Sequence, residues 1–376
     1  MKKLLYLVIP VLFGCQGQGQ KQQTMQKDYN LVIGTYTAPG KSEGIYTYNF
    51  NTETAELTQT SVEKNVINPS FLTVTDDKKF VYAVNENAKK SEVSAFSFDA
   101  ATGKLGFLNK QKAEGEDPCY IIADDKNVLI ANYSSGNISV YGRETNGALT
   151  AAKQVIQHTG SGINKARQES AHVHMVRFTP DGKYVVSNDL GEDKVYLYEY
   201  HKDDAKNILV LKDSIGVKAG SGPRHIVFSP GGKFAYLLQE MQADLTVFSY
   251  EGDSLKKIQE TSLVAKDFKG ESGASDIQFS ADGKFLYASN RGSANTITTF
   301  AVAADGKLTE KGQISSGGKG PRAFVIDPSG KWLLAGNQNS DNIVIFERDA
   351  STGLLKDSGK KVSLGAPVCF VFVPKG

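Results

Sequence analysis

Cysteine is scarce in this chain, with three residues among 376. Cys15 sits in an N-terminal segment with its own pattern, so only Cys119 and Cys369 remain for the folded part. They fall in non-adjacent copies of the repeat described below. That excludes a disulfide framework and predicts two buried thiols. An excess of one charge is also lacking. Lys and Arg number 43 against 41 Asp and Glu, a formal net charge of +2. The signs are mixed along the chain, so no basic face is predicted and nucleic acid is not an expected partner. No stretch carries a useful helical periodicity. No Gly-x-Ser-x-Gly elbow, Walker loop or dinucleotide fingerprint occurs, which argues against a serine nucleophile and against a nucleotide cofactor. No cofactor is expected.

The one notable apolar run, Leu4 to Phe13, follows Lys2 and Lys3. It has the length of a signal-peptide core and is too short to span a bilayer as a mature helix. It ends in Leu12-Phe13-Gly14-Cys15, and a small residue directly before a cysteine at this place resembles the bacterial lipobox. Residues 1–15 therefore read as a lipoprotein signal with Cys15 as the lipidation site. Residues 16–28, rich in Gln and Gly, read as a flexible tether, and 29–376 as the folded domain. The expected location is periplasmic or outer-membrane, with membrane contact only through the lipid. A cytoplasmic protein with an apolar start is the alternative. A monomer is expected.

Hydrophobic residues make up 40% of the chain, ample for a large core. The mature part repeats itself. The clearest copies are Phe178-Thr179-Pro180-Asp181-Gly182-Lys183-Tyr184, Phe228-Ser229-Pro230-Gly231-Gly232-Lys233-Phe234, Phe279-Ser280-Ala281-Asp282-Gly283-Lys284-Phe285 and Ile326-Asp327-Pro328-Ser329-Gly330-Lys331-Trp332. Weaker copies centre on Asp76 and Ala123, and a truncated one ends the chain at Pro374. The spacing is about fifty residues, longest between Ala123 and Pro180. In each copy an apolar run enters a Pro-Asp-Gly-type turn, a β-rich run leaves it, and two more alternating strands follow. Four strands per unit is the mark of a propeller blade. Seven anchors predict an all-β, seven-bladed propeller. The last copy stops just after its anchor, and its missing strand is supplied by Asn30 to Tyr36, which closes the ring and hides the edge.

The repeat also locates a site. The start of the first strand and the end of the second share one face of each blade. Six residues before the anchors stand Ser70, Asp117, His174, Arg224, Ser275, Arg322 and Val368. Nine after stand Asn85, Asn132, Asp189, Gln239, Asn290 and Asn337; ten after stand Glu86, Tyr133, Leu190, Glu240, Arg291 and Gln338. Strand-end Asn and Asp often serve turns alone. Folding offers no such reason for His174, Arg224, Glu240, Arg291 and Arg322, because converging charges in a concave site are unfavourable unless used. His172 and His174 alternate on one strand and share a face, but no further ligand stands at metal spacing, so no metal is predicted.

At these residues the chain resembles the propeller-type lactonases, which include bacterial 6-phosphogluconolactonases and fungal carboxy-cis,cis-muconate cyclases. The segments concerned are Gly222-Pro223-Arg224-His225 with Phe228 and Pro230, Asp276-Ile277 with Asp282-Gly283 and Asn290-Arg291, and Pro321-Arg322 with Ser329-Gly330-Lys331. The likeness runs over residues 29–374. The cyclase's catalytic set of one His, two Arg and one Glu maps by motif onto His174, Arg224, Arg291 and Glu240. Gln239 departs from the Asn that often precedes the Glu in relatives. The resemblance implies a lactone hydrolase of the 6-phosphogluconolactonase type. Its expected partner is a small anionic lactone, contacted by Arg322, His172, His225, Asn132, Tyr133, Asn290, Asn337 and Gln338. Ring opening needs a base for water, for which Glu240 or His174 suits, and a guanidinium at the oxyanion, from Arg224 or Arg291. Two rivals stand beside this reading: a non-catalytic exported propeller that binds a ligand or protein, and a lactonising cyclase using the same groups.

Overall fold

The computed structural model describes residues 26–376; Cys15 and the apolar run before it, where lipidation and signal cleavage are expected, lie outside the described residues. Seven four-stranded antiparallel sheets form the blades of a ring. Taken by inner strand, blade 1 starts at Leu72–Val74, blade 2 at Pro118–Ala123, blade 3 at Val173–Phe178 and blade 4 at Pro223–Phe228. Blade 5 starts at Ala274–Phe279, blade 6 at Pro321–Ile326 and blade 7 at Pro367–Pro374. Blade 7 is the composite one. Its inner strand comes from the C-terminus and its other three from Asp28–Thr35, Gly44–Asn51 and Leu57–Lys64. Leu31 pairs with Phe372 and Val32 with Val371, as the truncated last repeat predicts. The domain reaches slightly further back than residue 29. The first strand begins at Asp28, Gln26 donates to the Lys375 carbonyl, and Lys27 accepts from Thr52.

The Pro-Asp-Gly segments are tight turns between the first two strands of a blade. Gly182, Gly232, Gly283 and Gly330 all have positive φ there. A hydroxyl closes the turn: Thr179 donates to Asp181 and accepts from the Tyr184 amide, and Ser280 does the same with Asp282 and Phe285.

A second recurring device joins one blade to its neighbour. Tyr82, Tyr236 and Tyr287, buried on second strands, donate their hydroxyls to the carbonyls of Gly147, Gly306 and Gly353. Each of these glycines has positive φ, and each lies against an aromatic ring of the preceding blade: Phe80, Phe234 or Phe285. A side chain there would meet both the unfavourable backbone region and the ring. The core lies between blades: Tyr82 and Val84 of blade 1, for example, pack on Ile130 and Tyr141 of blade 2. Both thiols are free and buried, as expected: Cys119 in blade 2, Cys369 in blade 7.

These glycines give a graded test. A methyl group at Gly182 (φ +67°) meets nothing within 4 Å, whereas one at Gly306 (φ +81°) would stand 2.4 Å from the Phe234 ring. Gly182→Ala should lower stability by about 1 kcal/mol, the left-handed backbone term alone. Gly306→Ala should add overpacking and lose about 3 kcal/mol in total. Urea unfolding of the two variants checks the order; equal losses would mean that the inter-blade clasp carries no weight.

Candidate active site

Irregular pairing, more than the regular ladder, aims the charged residues into the channel. In blade 3 Val173 pairs with Asp189 and Met175 with Asn188, so His174 is an extra residue in its strand. Arg224 is extra between Pro223 and His225, and Arg322 between Pro321 and Ala323. Such β-bulges twist a strand and re-aim one side chain. The same bulge recurs in blade 2 between Pro118 and Tyr120, and this corrects the repeat arithmetic. The turn joining Ala123 to Val128 is shorter than its counterpart joining Phe178 to Val185. The blade 2 residue equivalent to His174 and Arg224 is therefore Cys119, and Asp117 lies further out.

A cavity of about 390 Å³ opens at this mouth, lined by Glu86, Asp117, Cys119, Tyr133, Ser134, Arg167, His174, Glu240, Arg291 and Arg322. Glu240 is its centre. One carboxylate oxygen accepts from Arg224 Nε at 3.0 Å and lies 3.0 Å from Arg291 Nη2 and 3.7 Å from His174 Nε2. The other accepts from Arg167 Nη2 at 2.7 Å. Arg224 and Glu240 are 2% and 7% exposed. Burial pushes the Glu240 carboxyl up, but the charges of Arg291 and Arg224 outweigh it and hold the group well below the usual carboxylate range. Burial and the nearby Arg291 pull Arg224 down to about 10, still charged at neutral pH. Burial, then the charge of Arg224, drives His174 well below the usual imidazole range, so it stands neutral. A neutral imidazole thus faces an ionised carboxylate.

The ring predicted from the repeat divides in two. His174, Arg224, Glu240, Arg291, Arg322 and Tyr133 come together. Asn132, Asn290 and Asn337, expected as substrate contacts, do not reach the cavity. They are fully buried in the blades: Asn132 donates to the Ala113 carbonyl and Ser139, Asn337 to the Ser316 carbonyl and Asn342, and Asn290 accepts from the Gly273 amide. The physical reason is strand alternation: if the residue ten after the anchor faces the channel, the residue nine after faces the blade. Gln338 is half-buried and lies outside the cavity lining. His225, beside Arg224, sits below it. It approaches Arg224 Nη1 at 3.0 Å and Asp276 at 3.3 Å, and lines the cavity at the opposite mouth of the channel. His172 stacks on Tyr133 with ring centroids 4.6 Å apart, pairs its Nδ1 with the Tyr133 carbonyl, and so supports the wall from behind.

Five lining residues were not among the expected contacts: Arg167, Glu86, Asp117, Cys119 and Ser134. Arg167 lies in the loop before blade 3, outside the repeat; the long gap between Ala123 and Pro180 was the only signal. Glu86 stood among the ten-after positions with nothing to single it out. Tyr36 donates to both of its oxygens at 2.9 and 3.0 Å, and the Ser70 hydroxyl also donates to it. Arg322 lies over the Tyr36 ring, 5.2 Å from its centroid. Among the described residues, one group of potential metal donors is His158, Asp189 and Glu192, all buried. The His158 ring nitrogens are engaged by Asp189 at 2.8 Å and Tyr198 at 2.7 Å, and Lys194 holds Glu192 at 2.9 Å. These bonds anchor the base of the Arg167 loop, and a cation would have to displace Lys194.

Comparison with known proteins agrees with this architecture. The family model described as Lactonase, 7-bladed beta-propeller matches residues 30–372. The 6-phosphogluconolactonase of Bacillus subtilis (strain 168) is 36% identical over 350 residues, 92% of this chain and 98% of its own length. A Bacteroides fragilis structure, of a protein proposed to be a 6-phosphogluconolactonase, superposes with a TM-score of 0.89 at 42% identity, covering 93% of this chain and 99% of that one. The periplasmic gluconolactonase of Pseudomonas aeruginosa superposes with a TM-score of 0.88 at 34% identity, over 93% of this chain and all of the other (100%). From its blade count, its composite closing blade and these matches across nearly its whole length, the chain belongs to the seven-bladed β-propeller lactonase family.

Proposed function

We propose that this protein hydrolyses the ring ester of a sugar lactone. The reaction is of the 6-phosphogluconolactonase type, which takes 6-phospho-D-glucono-1,5-lactone to 6-phosphogluconate. The observation that carries the reading is the meeting of an ionised Glu240, a neutral His174 and several guanidinium groups in one cavity of sugar size. Names borne by relatives support the substrate class.

Each group has a task. Glu240 and His174, 3.7 Å apart, bracket the place of the attacking water. Glu240 takes its proton. A carboxylate held by three arginines is a weak base, so one partner has to let go. Arg167 is the partner able to do so, since its side chain is 46% exposed on a loop while Arg224 is buried at 3%. Substrate oxygens entering the cavity draw Arg167 away and raise the basicity of Glu240. Arg291 stays charged, lines the cavity and faces the oxyanion that forms at the carbonyl, while Arg224, outside the lining, holds Glu240 in place. Arg322 accounts for substrate charge. Stacked on Tyr36, it makes no side-chain hydrogen bond among the described residues, so its donors are free for a phosphate or carboxylate.

The N-terminal pattern ending at Cys15 and the periplasmic relative support an exported lipoprotein, for which a non-phosphorylated lactone is the natural variant of the substrate. Cys15 acylation should appear as fatty-acid label in the native host. Label persisting in Cys15→Ser would contradict the assignment.

Kinetics on glucono-1,5-lactone and its 6-phosphate test the chemistry. Glu240→Gln should keep the fold by circular dichroism and lower kcat about 100- to 10,000-fold. Near-normal turnover would move the base to His174. Arg322→Met should raise KM for the phosphorylated lactone about 10- to 100-fold, the loss of one charged hydrogen-bonding group, with a smaller change for the plain lactone. An equal change for both would mean that Arg322 does not read the phosphate.

A further inference from the structure

The proposed hydrolysis also needs a proton delivered to the ring oxygen. When the tetrahedral intermediate collapses, the bond from the former carbonyl carbon to the ring oxygen breaks. That oxygen leaves as an alkoxide, a poor leaving group unless protonated as the bond opens. Glu240 enters the reaction ionised, and the proton it takes from water arrives on the attacking side of the carbonyl, where Arg224 and Arg291 hold the carboxyl. His174, Arg224 and Arg291 are committed around Glu240.

A second carboxyl group lies across the cavity. Glu86 and Glu240 occupy the same repeat position, ten residues past their anchors, in blades 1 and 4. In a ring of seven, no two blades are further apart, so the two carboxyls flank the cavity from nearly opposite sides. Both line it. The surroundings differ. Glu240 is ringed by guanidinium groups, whereas Glu86 is held by two neutral hydroxyls, Tyr36 from blade 7 and Ser70 from its own blade. The charged and titratable groups facing it are Arg322 from blade 6 and Asp117 and Cys119 from blade 2, besides Tyr36. Two carboxyls on either side of a scissile bond, one in a cationic and one in a largely neutral setting, is how an active site divides base from acid.

We propose that Glu86 is the general acid, donating its proton to the ring oxygen of the lactone as the ester bond breaks. This rests on the lactonase reading above. The water oxygen bonds to the carbonyl carbon and its proton passes to Glu240. The electron pair of the breaking carbon–oxygen bond goes to the ring oxygen, which takes the Glu86 proton and becomes the product hydroxyl. Glu240 is then protonated and Glu86 ionised; exchange with solvent restores both, so the net change is lactone plus water to hydroxy acid. Burial holds the Glu86 carboxyl above the usual carboxylate range, against the lowering pull of Arg322 and of the Ser70 and Tyr36 hydroxyls.

The sign of the pH dependence follows. The acid form is the active one, so kcat should fall as pH rises through the Glu86 pKa. Kinetics on glucono-1,5-lactone, corrected for spontaneous opening, should show this alkaline limb in the wild-type protein. In Glu86→Gln, kcat should fall at least about 100-fold and the limb should vanish. Tyr36→Phe removes a hydroxyl that favours the ionised carboxylate, so the limb should move to higher pH; this variant decides the matter should Glu86→Gln not fold. Were Glu86 merely a brace for Arg322, Glu86→Gln would raise KM while leaving kcat and the limb in place, and Tyr36→Phe would not shift the limb; either result overturns the proposal. A wild-type protein that opens neither this lactone nor its 6-phosphate overturns the lactonase reading itself, and the role of Glu86 with it. Activity in the wild type with an unaltered Glu86→Gln overturns the role of Glu86 alone.

Discussion

The closing seam of blade 7 is the constraint on which the molecule depends. Asp28–Thr35 hydrogen-bonds to Pro367–Pro374 across almost the whole length of the chain. Without it, blade 6 would present an open flank and the inner strands would lose their common axis. Closure removes the exposed edge that an open array of sheets would offer to other chains. It also fixes the distance between opposite blades. A site assembled from all seven blades has its geometry only because the ring is shut.

Within that ring, the unusual feature is charge buried at the axis. Taking a carboxylate and several guanidinium groups out of water is unfavourable, and their mutual attraction offsets this only where the geometry is good. Arg224, 2% exposed, meets that condition through its bond to Glu240. The structure spends this stability on an arrangement with four arginines around the cavity and a carboxyl on either side. The arginines do different work because their surroundings differ. Arg224 is locked beneath Glu240, Arg167 reaches in from a loop, and Arg322 lies on Tyr36 with its donors free. In the proposed reaction the same residue type serves as fixed counter-charge, movable partner and open anion site.

Much of the fold was legible because it is written seven times. The Pro-Asp-Gly turns register each blade, and the pairing of Leu31 with Phe372 completes the composite one. The site was partly legible for the same reason: His174, Arg224, Glu240, Arg291 and Arg322 break a repeat that otherwise has no use for them. What stayed hidden was local. A β-bulge carries no composition signal, so Cys119 could not be identified as the blade 2 counterpart of Arg224. Strand alternation separates Asn290 from Arg291 although they are neighbours in sequence. Arg167 lies outside the repeat altogether, where position in the blade gives no guidance. Glu86 could be placed at the mouth, but its hydroxyl partners come from two different blades and appear only in three dimensions.

On the proposed mechanism this cavity holds two carboxyl groups of opposite protonation tendency, Glu240 ionised and Glu86 inclined to keep its proton. Titration of the side-chain carboxyl carbons by ¹³C NMR, with the two signals assigned from Glu240→Gln and Glu86→Gln, tests it most directly. The Glu240 signal should stay that of a carboxylate from neutral pH down past the ordinary value of 4.5, and the Glu86 signal should change above that value. Two coincident titrations near the ordinary value, or the reverse order, would contradict it.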